Sequence, residues 1–307
     1  METKKISGDI SYKASVIGFG CAAIGGYDYG TVNEKNSLDA INEAWNSGIN
    51  FFDISDIYGF GHAERVLSNG LGAKCKDAII ATKFGLRKSS LGNVVCDCSI
   101  KWLEEALHAS LERLKIEQIP IYLIHWYDKK TPLDELINSL VKYKAQGKIG
   151  RFGVSNFSEE QYLKFQNLGG ENNLQLPFSL VNTSYALPLQ KASKDKDSLT
   201  MAYDVLGRGI LTGKYSKSSI FSGTDTRSVH KYFEGENLTK NLKLVKKLED
   251  IAETHGVCAA QVAIRWVFEM KFVDVTLIGC KTPQQVLTNI SIFDFNLSEI
   301  DMKTLSE

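Results

Sequence analysis

The chain has 307 residues, of which 43% are hydrophobic and 23% are charged, as is ordinary for a globular protein with a full core. Its 36 Lys and Arg residues balance its 36 Asp and Glu residues, so the formal net charge is zero. A neutral chain argues against nucleic acid or an anionic membrane as the main partner, because both attract a basic surface.

Nothing in the sequence suggests a membrane segment or an exported protein. The longest nearly apolar run, Val16 to Gly26, is interrupted by glycines and is too short to span a bilayer. The residues after Met1 are polar, so we expect no signal peptide and a cytoplasmic location. The cysteines are scattered, so we expect reduced thiols packed as small hydrophobic residues, with no disulfide framework and no metal site.

Short β-branched or aromatic runs alternate with stretches of helical periodicity along the first half of the chain. Strands are predicted at Ser15–Gly20, Ile49–Asp53, Ala78–Lys83 and Ile121–His125. Helices are predicted around Leu38–Trp45, Glu64–Leu71, Trp102–Leu114 and Leu133–Val141. The last of these helices has Thr131 as its predicted cap and Pro132 in its first turn.

The same alternation continues through the second half. Strands are predicted at Phe152–Ser155, Leu174–Ser179, Leu199–Tyr203 and Val275–Ile278. Helices are predicted at Glu159–Asn167, Leu244–Ile251, Ala259–Phe268 and Pro283–Ile290. A long polar loop, Ser216–Asn237, separates the seventh strand from its helices.

Eight strand–helix units in series predict an all-parallel sheet of the α/β class. Eight units also favour closure into a (β/α)8 TIM barrel, which we expect to form a single domain over residues 1–307. The alternative is an open doubly wound sheet, which would carry a Gly-x-Gly-x-x-Gly turn between a strand and a helix. The run that begins at Gly18 lacks the third glycine, although alanine is sometimes allowed there.

Functional residues of a barrel collect at the carboxyl ends of its strands. The second strand ends at Asp53, with Tyr58 just beyond it, the third at Lys83 and the fourth at His125. Taken one at a time, Asp53 is most simply interpreted as a loop cap, Lys83 as a solvated lysine and His125 as a packed histidine. Together they are expected in one pocket, because a buried Lys or Asp without a partner is costly.

The sequence resembles the aldo-keto reductase family over nearly its whole length, from Val16 to about Asn289. Seven motifs carry the resemblance and follow one another in family order. They are Gly48–Gly59 (GINFFDISDIYG), Ala81–Gly85 (ATKFG), Ile121–Trp126 (IYLIHW), Gly147–Phe157 (GKIGRFGVSNF), Gln175–Phe178 (QLPF), Leu206–Tyr215 (LGRGILTGKY) and Gly279–Thr282 (GCKT).

The resemblance implies reduction of an aldehyde or ketone by a nicotinamide cofactor, with Tyr58 as proton donor to the carbonyl oxygen. An unperturbed tyrosine titrates near ~10, so a nearby ammonium, Lys83, would be needed to stabilise the phenolate. Asp53 would hold Lys83 in place, and His125 would donate a hydrogen bond to the substrate carbonyl. The cofactor would supply the hydride.

The resemblance also implies where the cofactor binds. Residues at the ends of the fifth, sixth and seventh strands would contact the nicotinamide: Ser155, Asn156, Gln175 and Tyr203. Residues after the seventh strand would follow the pyrophosphate: Leu206, Gly207, Arg208 and Lys214. Residues after the eighth strand would hold the adenosine end: Gly279, Lys281, Thr282, Gln285 and Asn289. Lys281 beside Thr282 favours a 2′-phosphate, hence NADPH, with NADH as the alternative.

Three features depart from the family pattern or leave its function open. Asp204 stands where the family usually has Ser, and its carboxylate would repel phosphates unless Arg208 or Lys214 compensates. Gln285 stands where some branches carry Arg, so one partner of a 2′-phosphate is missing. The loop Ser216–Asn237 is similar to that of pyridoxal and sugar-nucleotide reductases, and it either contacts substrate or is a solvated connection.

Other functions fit part of this pattern. The family includes channel-associated regulatory subunits, and a redox-neutral enzyme could retain the nicotinamide cofactor. A Schiff-base aldolase could use Lys83, but Tyr58 and the cofactor motifs would then be unexplained. We therefore expect a small-molecule carbonyl substrate, such as a sugar derivative, and a monomer or small homo-oligomer.

Overall fold

The structure is a computed structural model that describes residues 1–6, 11–26, 32–221 and 225–307. Eight parallel strands form a closed barrel, which confirms the predicted TIM barrel. They are β1 Ile17–Gly20, β2 Phe51–Asp53, β3 Ile79–Phe84, β4 Ile119–Ile124, β5 Ile149–Ser155, β6 Asn173–Pro177, β7 Leu199–Tyr203 and β8 Val275–Gly279. The pairing of Thr276 with Ile17 joins the last strand to the first and excludes the open sheet.

Helices follow the strands and pack around the barrel. They are α1 Glu34–Asn46, α2 His62–Leu71, α3 Ile100–Leu114, α4 Leu133–Ala145, α5 Glu159–Asn167, α6 Ala186–Ala192, α7 Gly235–His255, α8 Ala259–Phe268, α9 Pro283–Ile290 and α10 Glu299–Ser306. Side-chain caps fix several of their starts. Ser158 and Gln161 form a reciprocal capping box at α5, and Thr282 caps α9 ahead of Pro283.

The predicted cap of α4 is wrong by one residue. The helix begins at Leu133 with Pro132 as its N-cap. Thr131 does not cap it, because Asp128 accepts hydrogen bonds from the backbone N–H and the hydroxyl of Thr131, at 3.0 and 2.9 Å. The two helices α6 and α10 were not among the predicted elements.

A hairpin of Thr3–Ile6 and Tyr12–Ser15 closes the amino-terminal end of the barrel. Ile6 is 2% exposed and Ala14 is fully buried, and both pack on the barrel-interior side chains of Phe51, Ile121 and Met201. The sequence did not predict this hairpin, since most of its first strand is polar and exposed. With this end closed, the opening of the barrel lies at the carboxyl ends of the strands.

The long segment after β7 is more ordered than a plain solvated connection. Its described parts contain short 3-10 turns at Gly207–Thr212, Thr226–Val229 and Lys231–Phe233, while residues 222–224 lie outside the described part. Tyr215, Phe221 and Phe233 pack against one another with ring centroids 4.9 to 5.4 Å apart. An aromatic cluster therefore holds the segment together.

Two further features complete the fold. All the cysteines are free; four are buried as predicted, but Cys96 and Cys258 are exposed, contrary to the prediction. Cys96 belongs to a second hairpin, Leu86–Lys88 with Val94–Cys96, that follows β3 and was not predicted. Within the described ranges, no helix combines the length and apolarity needed to cross a membrane.

Candidate active site

A buried ion pair lies at the carboxyl ends of β2 and β3. Lys83 is fully buried, and its Nζ donates to Asp53 Oδ1 and to the carbonyl oxygen of Ile54, both at 2.8 Å. Asp53 Oδ1 also accepts a hydrogen bond from Gln175 Nε2 at 2.7 Å. Because both charges have partners, the barrel tolerates an ammonium that would otherwise be costly to bury.

The loop after β2 presents Tyr58 to this ion pair. The Nζ of Lys83 lies 5.3 Å from the centroid of the Tyr58 ring. The next residue, Gly59, has φ of +58°, and a Cβ there would lie 2.2 Å from the carbonyl oxygen of Gly25. Only glycine fits at that close approach, so contact with the loop after β1 helps to fix the place of Tyr58.

His125 follows β4 and completes the group. Its ring meets the Tyr58 ring edge to face, with centroids 5.9 Å apart and an interplanar angle of 84°. Its Nδ1 lies 3.1 Å from Ser55 Oγ. Burial, together with the positive charge of Lys83, lowers the pKa of His125 well below its usual value. The imidazole is therefore neutral and carries a single N–H.

The structure thus brings together the four residues predicted as catalytic: Asp53, Tyr58, Lys83 and His125. An ammonium beside a phenol can stabilise negative charge on the phenol oxygen. A neutral imidazole can donate a hydrogen bond without carrying charge itself. The arrangement suits a reaction in which a substrate oxygen gains negative charge and then a proton.

The residues predicted to contact nicotinamide form one network beside this group. Ser155 Oγ donates to Gln175 Oε1 at 3.3 Å, and Asn156 Nδ2 donates to the carbonyl oxygen of His125 at 3.0 Å. The hydroxyl of Tyr203 donates to Asn156 Oδ1 at 2.6 Å. Through Gln175 this network reaches the carboxylate of Asp53. The ends of β5, β6 and β7 are therefore coupled to the ion pair.

The loop after β7 makes a tight turn around Asp204. Gly207, Arg208 and Gly209 have successive positive φ angles of 55°, 54° and 95°. Asp204 Oδ1 accepts the backbone N–H of Arg208 at 2.7 Å, and Tyr232 also hydrogen-bonds the carboxyl group. Burial raises the pKa of Asp204, which favours its neutral form. The charge of Arg208 also interacts with this carboxyl group, so Arg208 lies where it can offset negative charge on Asp204.

The residues predicted at the adenosine end shape the loop after β8. Gln285 Oε1 accepts the backbone N–H of Lys281 at 2.7 Å, and the hydroxyl of Thr282 accepts the N–H of Gln285 at 3.3 Å. Asn289 Nδ2 donates to Cys280 Sγ at 3.1 Å. The side chain of Gln285 thus holds the backbone of this loop, leaving Lys281 half-buried beside it.

Sequence reasoning did not assign a role to Arg227, which the structure brings near Lys281. Asp225 Oδ1 accepts from Arg227 Nε at 2.8 Å, and the guanidinium lies over the rings of Tyr215 and Phe221, 5.5 and 5.1 Å from their centroids. Burial and the charge of Arg227 lower the pKa of Lys281. Asp225 interacts with both cations, so the group has two positive charges against one carboxylate. The excess positive charge suits an anion, such as a cofactor phosphate.

Comparison with known proteins gives consistent matches. The model of the aldo/keto reductase family matches residues 16–307. The chain is 29% identical to "Aldo-keto reductase yakc [NADP(+)]" of Schizosaccharomyces pombe, over 99% of this chain and 90% of that protein. It is 28% identical to the "NADH-specific methylglyoxal reductase" of Escherichia coli K12, over 99% and 98%.

A solved structure agrees with these matches. The glycerol dehydrogenase of Gluconobacter oxydans superposes with a TM-score of 0.89 at 32% sequence identity. The superposition covers 99% of this chain and 94% of that one. Fold and sequence therefore point to the same family along almost the whole chain.

Proposed function

The chain belongs to the aldo/keto reductase family of NAD(P)H-dependent oxidoreductases, and we propose that it reduces a small aldehyde or ketone with NADPH, with Tyr58 as proton donor. The observation that carries the proposal is the grouping of a buried Lys83–Asp53 pair, Tyr58 and a neutral His125 at the open end of the barrel. In barrel enzymes the catalytic residues usually lie at this end of the barrel.

Each residue has a distinct role in this proposal. His125 donates a hydrogen bond to the carbonyl oxygen and so stabilises the negative charge that develops there. Tyr58 gives its hydroxyl proton to that oxygen, and the ammonium of Lys83 stabilises the phenolate that is left. Asp53 pairs with Lys83 and holds it in place, at an Nζ to Oδ1 distance of 2.8 Å. The nicotinamide, when bound, supplies the hydride.

Support for NADPH comes from two cations near the loop after β8. Lys281 and Arg227 interact electrostatically. In this proposal Arg227 replaces the arginine that some family branches carry at position 285, since the Gln285 side chain is bonded to the backbone of Lys281. Asp225 accepts from Nε and Nη2 of Arg227 and so fixes the guanidinium beside Lys281, where its positive charge favours a phosphate. Family membership does not decide the cofactor, since one similar protein is named for NADP(+) and another for NADH.

Support for a small polar carbonyl comes from two relatives, one named a methylglyoxal reductase and the other a glycerol dehydrogenase. Both names refer to small oxygenated three-carbon compounds. The test is the initial rate of NADPH and NADH oxidation with methylglyoxal, glyceraldehyde, dihydroxyacetone and pyridoxal, with the alcohol product measured in each case. We expect one alcohol formed per NADPH oxidised, at higher kcat/KM than with NADH. Tight NADPH binding without consumption by any of these carbonyls would contradict the proposal.

A further inference from the structure

A hydrogen-bonded chain leads from His125 away from the carbonyl site. His125 Nδ1 lies 3.1 Å from Ser55 Oγ, and Ser55 Oγ lies 3.0 Å from Asp56 Oδ1. Asp56 is only 7% exposed, and its other carboxyl oxygen, Oδ2, has no hydrogen-bond partner among the described residues. The proposed reduction makes no use of this buried acid, although only one hydroxyl separates it from His125.

The surroundings of Asp56 disfavour its ionised form. Glu64 of α2 faces it with a like charge, and Tyr122 of β4 lies near it. Arg113 of α3 is bound to Glu64 at 2.6 Å, so its charge is largely committed there. Burial, followed by the charge of Glu64, raises the pKa of Asp56 to about 8. Protonation of Asp56 also accounts for the absence of a described hydrogen-bond partner at Oδ2, because a buried ionised oxygen without a hydrogen bond is costly.

We propose that Asp56 is a positioning residue that sets the tautomer of His125 through Ser55, a role that rests on the proposed carbonyl reduction. When Asp56 is protonated, it donates to Ser55 Oγ, and the Ser55 hydroxyl donates to His125 Nδ1. The single imidazole proton is then on Nε2, the only ring nitrogen left to donate to a substrate oxygen. The backbone N–H of Ile57, 3.4 Å from Ser55 Oγ, is its second donor.

Loss of one proton reverses the chain. The Nε2 proton leaves His125, the Ser55 proton moves to Nδ1, and the Asp56 proton moves to Ser55 Oγ. Ser55 then donates to the Asp56 carboxylate and accepts from Nδ1–H, so every hydrogen bond in the chain persists with its direction reversed. His125 Nε2 is now an acceptor and cannot donate to the carbonyl oxygen. The ionised form of Asp56 therefore corresponds to an inactive tautomer of His125.

Asp56 also borders a cavity on the side away from His125. Asp56 and Trp102 line an open-sided space of about 190 Å³ between α3 and the hairpin that follows β3. Trp102 Nε1 is buried in the same place and also lacks a partner within the described ranges. A space of this size has room for water, and Asp56 and Trp102 each bring a polar group to its wall. Arg87, Lys88 and Arg113 are the cations that face this space.

The test is the pH dependence of kcat/KM for carbonyl reduction between pH 6 and 10. In the wild type we expect kcat/KM to fall above about pH 8, approaching tenfold per pH unit as the active tautomer is lost. Asp56→Asn keeps a neutral donor toward Ser55, so it should retain the rate at pH 7 and lose this alkaline fall. Ser55→Ala breaks the chain and should lower kcat/KM about tenfold or more at pH 7, since one hydrogen bond no longer fixes the tautomer.

Ser68→Ala is the matched control, because this buried serine of α2 donates to the carbonyl oxygen of Leu114 and is outside the chain. It should keep the wild-type pH profile. An Asp56→Asn profile that falls at the same pH as the wild type would overturn the inference while leaving carbonyl reduction intact. Absence of any reduction by the wild type would instead refute the proposed function.

A second measurement needs neither turnover nor a variant. The ¹⁵N chemical shifts of the two His125 ring nitrogens report which one carries the proton. We expect an Nε2–H tautomer below about pH 8 and a change to Nδ1–H above it, following the ionisation of Asp56. A single tautomer of His125 from pH 6 to 10 would overturn the inference even if Asp56→Asn failed to fold.

Discussion

Replacing Asp53 with alanine should destabilise the fold far more than loss of an exposed ion pair. Lys83 is fully buried. In Asp53→Ala its Nζ would keep the carbonyl of Ile54 as its hydrogen-bond acceptor among the described residues, and Gln175 Nε2 would lose its carboxylate acceptor at 2.7 Å. Removing one partner of a buried pair costs about 3–5 kcal/mol, because the remaining charge is left uncompensated.

The assay is urea unfolding at pH 7, followed by tryptophan fluorescence, with Asp39→Ala as the matched control. Asp39 pairs with Lys35 on the surface of α1, at 3.1 Å and with the lysine 83% exposed. Such exposed pairs contribute about 0.3–0.5 kcal/mol. The double variant Asp53→Ala/Lys83→Met removes both charges and should recover at least half of the stability lost by the single variant.

Two results would refute this reasoning. Asp53→Ala could prove no more destabilising than Asp39→Ala, which would mean that Lys83 does not depend on the carboxylate. Alternatively, the double variant could be less stable than Asp53→Ala, which would mean that the stability comes from packing of the lysine side chain and not from charge pairing.

Three further predictions concern other parts of the chain. Gly153→Ala should lower the melting temperature much more than Gly279→Ala. A Cβ at 153 would lie 2.2 Å from a carbonyl oxygen of β6, whereas a Cβ at 279 would have its nearest neighbour at 3.7 Å. Equal melting temperatures of the two variants would contradict this prediction. Arg227→Met should raise KM for NADPH about 10-fold or more with little change in KM for NADH, as expected for a charge-assisted bond to phosphate. Lys217→Met, on the exposed part of the loop, is the control and should change neither KM. A change of the same size for both cofactors would count against a 2′-phosphate contact. Asp56→Asn should have a larger free energy of unfolding than the wild type, by an amount that grows from about pH 4 to pH 8. In that range Asp56 is neutral in the native state but ionised in the unfolded state. A difference in unfolding free energy that does not vary with pH would be inconsistent with the raised pKa.

The barrel and the residues at its open end could be predicted because they follow from local patterns. Strand–helix alternation counts the units, and parallel pairing brings every strand's carboxyl end to one side. For this reason Lys83 and His125, distant in sequence, were expected near Asp53 without any knowledge of contacts. The error at the start of α4 has a local cause too, since the side chain of Asp128 competes for Thr131.

The remaining features depend on contacts that a sequence pattern does not carry. The amino-terminal hairpin has one apolar side only where it meets the barrel interior, so Thr3–Ile6 shows no strand periodicity. The approach of Arg227 to Lys281 needs the loop after β7 to fold over toward the loop after β8. Ser55 and Asp56 lie inside a recognised motif, but their link to His125 depends on how the loop after β2 turns beneath that ring.

The most direct test of the central claim is single-turnover NADPH oxidation by Tyr58→Phe at saturating carbonyl substrate, with NADPH affinity measured separately by fluorescence. Loss of a general acid typically lowers the rate by about 10²–10⁴-fold, so we expect a drop of that size with NADPH affinity unchanged. Tyr162→Phe, on α5, is the control, because its hydroxyl has no hydrogen-bond partner in the part of the chain that the structure describes; it should react as the wild type does. A Tyr58→Phe protein that oxidises NADPH at the wild-type rate would contradict the account.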